Sequence, residues 1–323
     1  MWQPFDKTLW QGRIDPNSGS RSQRWHQRIA EPVAEVPGTC LIGFASDRGV
    51  QLNKGRTGAV EGPNALRSAL ASLAAHFDRA LYDDGTVHCA DEDLPASQTA
   101  FGDRVAARLE EGHFVIGLGG GHEIGYASYT GLRQWLDQND PGARLGILNF
   151  DAHFDLREPS PDATSGTPFY QIAQDCKQRG LPFHYACIGI SEAANTPVLF
   201  DTADELGVHY LRDLNCTDVH ATPFIQRFIG ELDYLYVTVC LDVLSAGHAP
   251  GVSAPAAVGI PPTFLLNCLT EIQRCCQFAS CQWLMADIAE LNPSYDQDNR
   301  TAKLAARLVW EMDALQTPGR VSV

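Results

Sequence analysis

Six short apolar runs punctuate the chain: Cys40 to Phe44, Phe114 to Leu118, Leu145 to Phe150, Tyr185 to Ile190, Tyr234 to Leu241 and Trp283 to Ile288. Runs this short and this continuously apolar suit strands buried on both faces. The segments between them are long enough for helices and carry helical spacing. Ala65, Leu66, Ala69, Leu70 and Leu73 follow a Gly62-Pro63 start, and Val105, Ala106 and Leu109 follow Gly102-Asp103. Alternating strands and helices predict an α/β fold, a mostly parallel sheet covered on both faces. In such sheets ligands bind beyond the carboxyl ends of the strands.

A length of 323 residues allows one large domain or two smaller ones. No repeat, low-complexity tract or linker divides the chain. The polar, aperiodic residues 1–35 read as an irregular N-terminal extension that wraps the surface or meets a neighbouring subunit, and 36–323 as a single domain. A formal charge of −15 argues against a nucleic-acid partner. No apolar run is long enough to span a membrane and no secretory signal opens the chain, so a cytoplasmic location is expected. The ten cysteines contain no C-x-x-C pair, and most are expected to be buried free thiols.

Directly after the Leu145 run comes Asn149-Phe150-Asp151-Ala152-His153-Phe154-Asp155. In an extended backbone, alternate positions share one side, so Asp151, His153 and Asp155 should converge. Two carboxylates and an imidazole are costly to desolvate together unless a cation lies between them. The plainer alternative is a strand end whose polar groups cap a helix or face water. Three further strand ends carry similar groups. Gly119-Gly120-Gly121-His122-Glu123 follows the second run, Cys240 and Asp242 end the fifth, and Glu290 follows the sixth in Glu290-Leu291-Asn292-Pro293. The glycines at 119–121 are a poor phosphate loop, because no Lys-Ser/Thr follows them. His122 could equally cap a helix at the surface.

These motifs, G-G-x-H, D-A-H-x-D, an acidic strand end before Ala249-Pro250-Gly251-Val252-Ser253-Ala254-Pro255, and E-x-N-P, resemble those of the ureohydrolase family in order and approximate spacing. The likeness runs from Gly55-Arg56-Thr57-Gly58-Ala59 to Glu290. The resemblance implies a three-layer α/β/α, arginase-like fold and two Mn2+ ions per subunit. It further implies metal ligation by His122, Asp151, His153, Asp155 and Asp242, and often a homo-oligomer. One departure stands out: where the family usually has Asp-x-Asp, this chain has Cys240 and Asp242. A thiolate is a softer ligand than a carboxylate and must first lose its proton. Cys240 is expected to coordinate, the alternative being a neutral bystander beside a weak site.

Family members cleave a C–N bond at an amidine-like carbon. The histidine that arginases and agmatinases carry downstream is absent from Ser165-Gly166-Thr167-Pro168-Phe169, and Arg157 suits a carboxylate on the substrate. A small acidic amidine is therefore expected. The motifs most resemble the branch that hydrolyses N-formimidoyl-L-glutamate to L-glutamate and formamide in histidine degradation. On that reading Asp155 passes a proton to the leaving amine and Glu290 holds the cationic nitrogen. Arg157 clamps one carboxylate, and Asn53, Arg56 and Thr167 are candidates for the second. Arg157 pairing with Glu158 or Asp162 on the surface is the bland alternative. Two rival readings are a urea-releasing relative acting on a guanidino acid and a catalytically inactive relative with a binding or regulatory role.

Overall fold

The computed structural model describes residues 1–15 and 19–317, so the last six residues of the expected domain lie outside the described residues. Among the described residues nine strands form one sheet: β1 (Trp2–Gln3), β2 (Gly38–Ala45), β3 (Ala80–His88), β4 (Phe114–Leu118), β5 (Leu145–Phe150), β6 (His184–Ile190), β7 (His209–Arg212), β8 (Tyr234–Cys240) and β9 (Gln282–Ala289). Ten α-helices among the described residues accompany them: α1 (Trp25–Arg28), α2 (Arg48–Leu52), α3 (Gly62–Ala71), α4 (Leu94–Glu110), α5 (Ile124–Asn139), α6 (Pro168–Arg179), α7 (Pro197–Glu205), α8 (Asp218–Ile229), α9 (Pro262–Ala279) and α10 (Arg300–Leu315). The spatial order is β1-β3-β2-β4-β9-β8-β5-β6-β7, parallel throughout except where β1 runs antiparallel to β3.

The period-two geometry of the strands sorts their side chains into two cores. Leu235, Val237 and Val239 of β8 face one core with α3, α8, α9 and α10, while Tyr236 faces the other with α4, α5 and α6. This is the three-layer α/β/α arrangement. The N-terminal residues are part of it. Trp10 and Trp25 are buried in the first core, and β1 extends the sheet edge.

β3 escaped the apolar-run reading because Asp83-Asp84-Gly85 interrupts it. The structure shows how those acids are tolerated. Arg67 of α3 meets Asp83 through two 2.8 Å bonds, with both side chains at most 1% exposed. Trp10 Nε1 also donates to Asp83, and Arg104 of α4 pairs with Asp84. Every charge inserted in that strand has a partner.

Candidate metal centre

The sheet order places β4, β9, β8 and β5 side by side, and these four strands carry the four motif-bearing ends. Phe150 pairs with Val239, and Cys240 pairs with Ala289, so Asp151, Cys240 and Glu290 leave the sheet at one level. The glycines after β4 permit a close crossing over this edge. A Cβ on Gly120 would lie 1.8 Å from the Ser46 carbonyl oxygen. Glu290 donates its backbone N–H to the Gly120 carbonyl at 2.7 Å, and its carboxylate accepts the backbone N–H of His122 at 2.9 Å.

Asp151, His153 and Asp155 do converge, by a route other than simple alternation. The strand ends at Phe150, and Asp155 sits in a left-handed conformation with φ 49°. Phe154 points into the core against the rings of Phe200 and Tyr210, which anchors the turn. His122 Nδ1 lies 2.9 Å from Asp151 and 2.9 Å from Asp155, and His153 Nδ1 lies 3.3 Å from Asp242. Two groups have ligand atoms within 4.8 Å of one another: His122, Asp151 and Cys240, and Asp151, His153 and Asp242. They share Asp151.

The polar atoms here are close yet unsatisfied. His122 Nδ1, Asp242 Oδ1 and Glu290 Oε2 are buried with no hydrogen bond, although His122 Nδ1 is near two carboxylates. Native interiors rarely leave such atoms unpartnered unless something else binds them. Protonation reflects the same crowding. Burial pulls the His122 imidazole down, but Asp151 and Asp155 outweigh it and hold its pKa well above the usual range. Burial pushes Asp155 up to about 6, with the Asp151 charge adding to the rise. Burial and then the surrounding acids push the Cys240 thiol far up. Bound cations would replace those protons. The oxygen and imidazole donors fit manganese, with one softer sulfur among them.

Beside this cluster lies a cleft of about 310 Å³, lined by Asn53, Lys54, Arg56, Arg157, Asn195 and Glu290 among others. A larger cavity of about 570 Å³ opens at the amino ends of β6 and β7, far from the acid cluster. Arg157 has no carboxylate partner among the described residues; it donates only to Asn53 Oδ1 at 3.2 Å. Arg56 is committed otherwise, with its guanidinium bonded to the Ser253 carbonyl at 3.0 Å and stacked 4.1 Å over Tyr295. Thr167 does not line the cleft: it is buried, and its hydroxyl bonds Thr164 and Gln171 at the start of α6. The sequence reading passed over Lys54. It lines the cleft with φ 62°, and its ammonium group has no partner among the described residues. A cation beside Gly55 was the only sequence signal for it.

Comparisons with known proteins agree with this architecture. Residues 38–314 match the arginase family. The formimidoylglutamase of Hahella chejuensis is 49% identical over 311 residues, covering 95% of this chain and 94% of that protein. That of Ralstonia nicotianae is 47% identical over 316 residues, covering 96% and 95%. Among solved structures, Trypanosoma cruzi formiminoglutamase with Mn2+ superposes with a TM-score of 0.79 at 22% identity, covering 92% of this chain and 100% of that one. Bacillus subtilis arginase gives 0.70 at 23% identity, covering 87% and 99%. The chain belongs to the arginase family.

Proposed function

We propose that this protein is a formimidoylglutamase. It hydrolyses N-formimidoyl-L-glutamate with two Mn2+ ions, for which His122, Asp151, Asp155 and Cys240 would supply one set of ligands and Asp151, His153 and Asp242 the other. The observation that carries the reading is a buried acid-and-imidazole cluster with unsatisfied atoms, opening onto a cleft whose cations, Arg157 and Lys54, have no carboxylate of their own. The high identity to formimidoylglutamases over nearly the whole chain supports the substrate.

Manganese, when bound, lowers the pKa of a water and offsets the negative charge that develops as it attacks. The chain supplies the rest. Arg157 and Lys54 bind the two substrate carboxylates, with Asn53 fixing the Arg157 fork. Glu290 accepts the cationic formimino nitrogen. The water oxygen bonds to the formimino carbon, the bond from that carbon to the glutamate nitrogen breaks, and Asp155 carries a proton from the attacking water to that nitrogen. An ionised carboxylate at this position can take that proton up and release it in turn. The products are L-glutamate and formamide.

The test is turnover of manganese-loaded protein on N-formimidoyl-L-glutamate, arginine, agmatine and guanidinobutyrate. Glutamate and formamide in equal amounts are expected. Urea would reassign the chain to guanidino acids, and no product from any substrate would overturn the enzyme reading.

A further inference from the structure

Behind His122, on the side away from the cleft, lies a second buried carboxylate that the mechanism leaves unused. Asp287 of β9 is fully buried and accepts three hydroxyls: Ser128 Oγ of α5 at 2.6 Å, Tyr236 OH of β8 at 2.5 Å and Thr238 Oγ1 of β8 at 2.6 Å. Thr238 and Asp287 are register partners across the β8–β9 ladder. The Thr238 oxygen is also 3.0 Å from His122 Nε2. Thr238 and His122 are both at most 1% exposed, so no water competes.

Counting protons fixes the direction of this chain of bonds. An ionised carboxylate only accepts, and a hydroxyl has one proton to give. The Thr238 proton is spent on Asp287, so at its other contact Thr238 must accept. His122 Nε2 must therefore bear a hydrogen, and Nδ1 is left as the nitrogen that faces Asp151 and Asp155.

We infer that Thr238 and Asp287 are positioning residues that fix the tautomer and ring orientation of His122, so that Nδ1 is presented to a metal ion. This rests on the metal reading above. Groups of this kind behind a ligating histidine commonly contribute about 10- to 100-fold to metal affinity. Asp287 also ties α5 to the sheet through Ser128, and that purely structural role can be separated from the proposed one. Thr238→Val removes the acceptor from His122 while leaving the Ser128 and Tyr236 bonds in place. Ser128→Ala does the reverse.

The experiment is manganese titration of the full-length wild type, Thr238→Val, Thr238→Ser and Ser128→Ala. Calorimetry measures affinity, electron paramagnetic resonance distinguishes single ions from coupled pairs, and metal-free melting temperatures report the fold. Thr238→Val is expected to lose about 10- to 100-fold in affinity for one ion and to show a single-ion spectrum at limiting metal. Thr238→Ser, which restores the hydroxyl, and Ser128→Ala are expected to bind as the wild type does. Wild-type affinity in Thr238→Val, an equal loss in Ser128→Ala, or a loss in Thr238→Ser overturns the inference. The serine variant decides the matter even where the valine variant does not fold. A wild type that binds manganese but leaves N-formimidoyl-L-glutamate intact overturns the proposed function alone; one that takes up no manganese overturns both.

Discussion

The protein buries two sets of charges, and they are opposite in kind. Around β3, Asp83 has Arg67, Trp10 and the Gly85 N–H, and Arg67 also donates to Thr86 and the Gly85 carbonyl. Every guanidinium nitrogen of Arg67 and both carboxylate oxygens of Asp83 are bonded. At the ends of β4, β5, β8 and β9 the acids outnumber their partners, and His122 Nδ1, Asp242 Oδ1 and Glu290 Oε2 are unsatisfied. The first set holds the fold together. The second is held in place by the fold and, on the function proposed above, is completed by manganese.

The sharpest way to break this contrast is to remove one member from each set. Asp242→Asn should cut turnover by at least about a hundredfold through lost manganese. Without metal its stability should hold or rise, because burial has already pushed this carboxyl up and made its charge a cost; urea unfolding in chelator measures this. Arg67→Ala should do the opposite. It should cost about 3–5 kcal/mol in the same unfolding assay, by stranding Asp83, with manganese affinity unchanged in the folded fraction.

Glu123 extends the comparison to pH. Burial raises its carboxyl from 4.5 to about 7, so the unfolded chain gives up this proton first. Between those values the unfolded state binds fewer protons, and stability must fall as pH rises, by about 3 kcal/mol from this group. Glu123→Gln should flatten that part of the stability profile between pH 4.5 and 7. In the cleft, Lys54→Met should raise KM about tenfold or more with kcat little changed, as expected for a lost charged contact to the substrate. The smallest effect is expected at Cys240. Cys240→Asp supplies a harder ligand, and manganese affinity by calorimetry should be equal or higher; a fall would make the thiol a requirement.

The runs that form β4, β5 and β8 were legible because buried parallel strands need continuous apolar residues. β3 was not, since the ion pair that lets Asp83 sit inside depends on a residue 16 positions away. The strand-end residues could be read from their chemical type, which unpaired acids and imidazoles advertise. Thr167 could not, because a side chain in a suggestive motif can be turned to local helix bonds. Thr238 and Asp287 were hidden for a similar reason: within an apolar strand, single polar residues look like interruptions until the ladder sets them opposite one another. Lys54 depends on a backbone twist that its residue type does not announce.

The sheet order has a consequence for assembly. β9 comes last among the strands of the described residues yet lies between β4 and β8, near the middle of the sheet. A chain emerging from the ribosome can pair β2 with β3 and β4, and β5 with β6 and β8, long before residue 282 appears. These halves have no direct strand contact until β9 joins them. Such long-range closure is slow and leaves sheet edges exposed meanwhile. His122 comes from one half and Asp151 from the other, so the late strand also acts as a timer. The residues proposed to hold manganese are not brought together until β9 has been made.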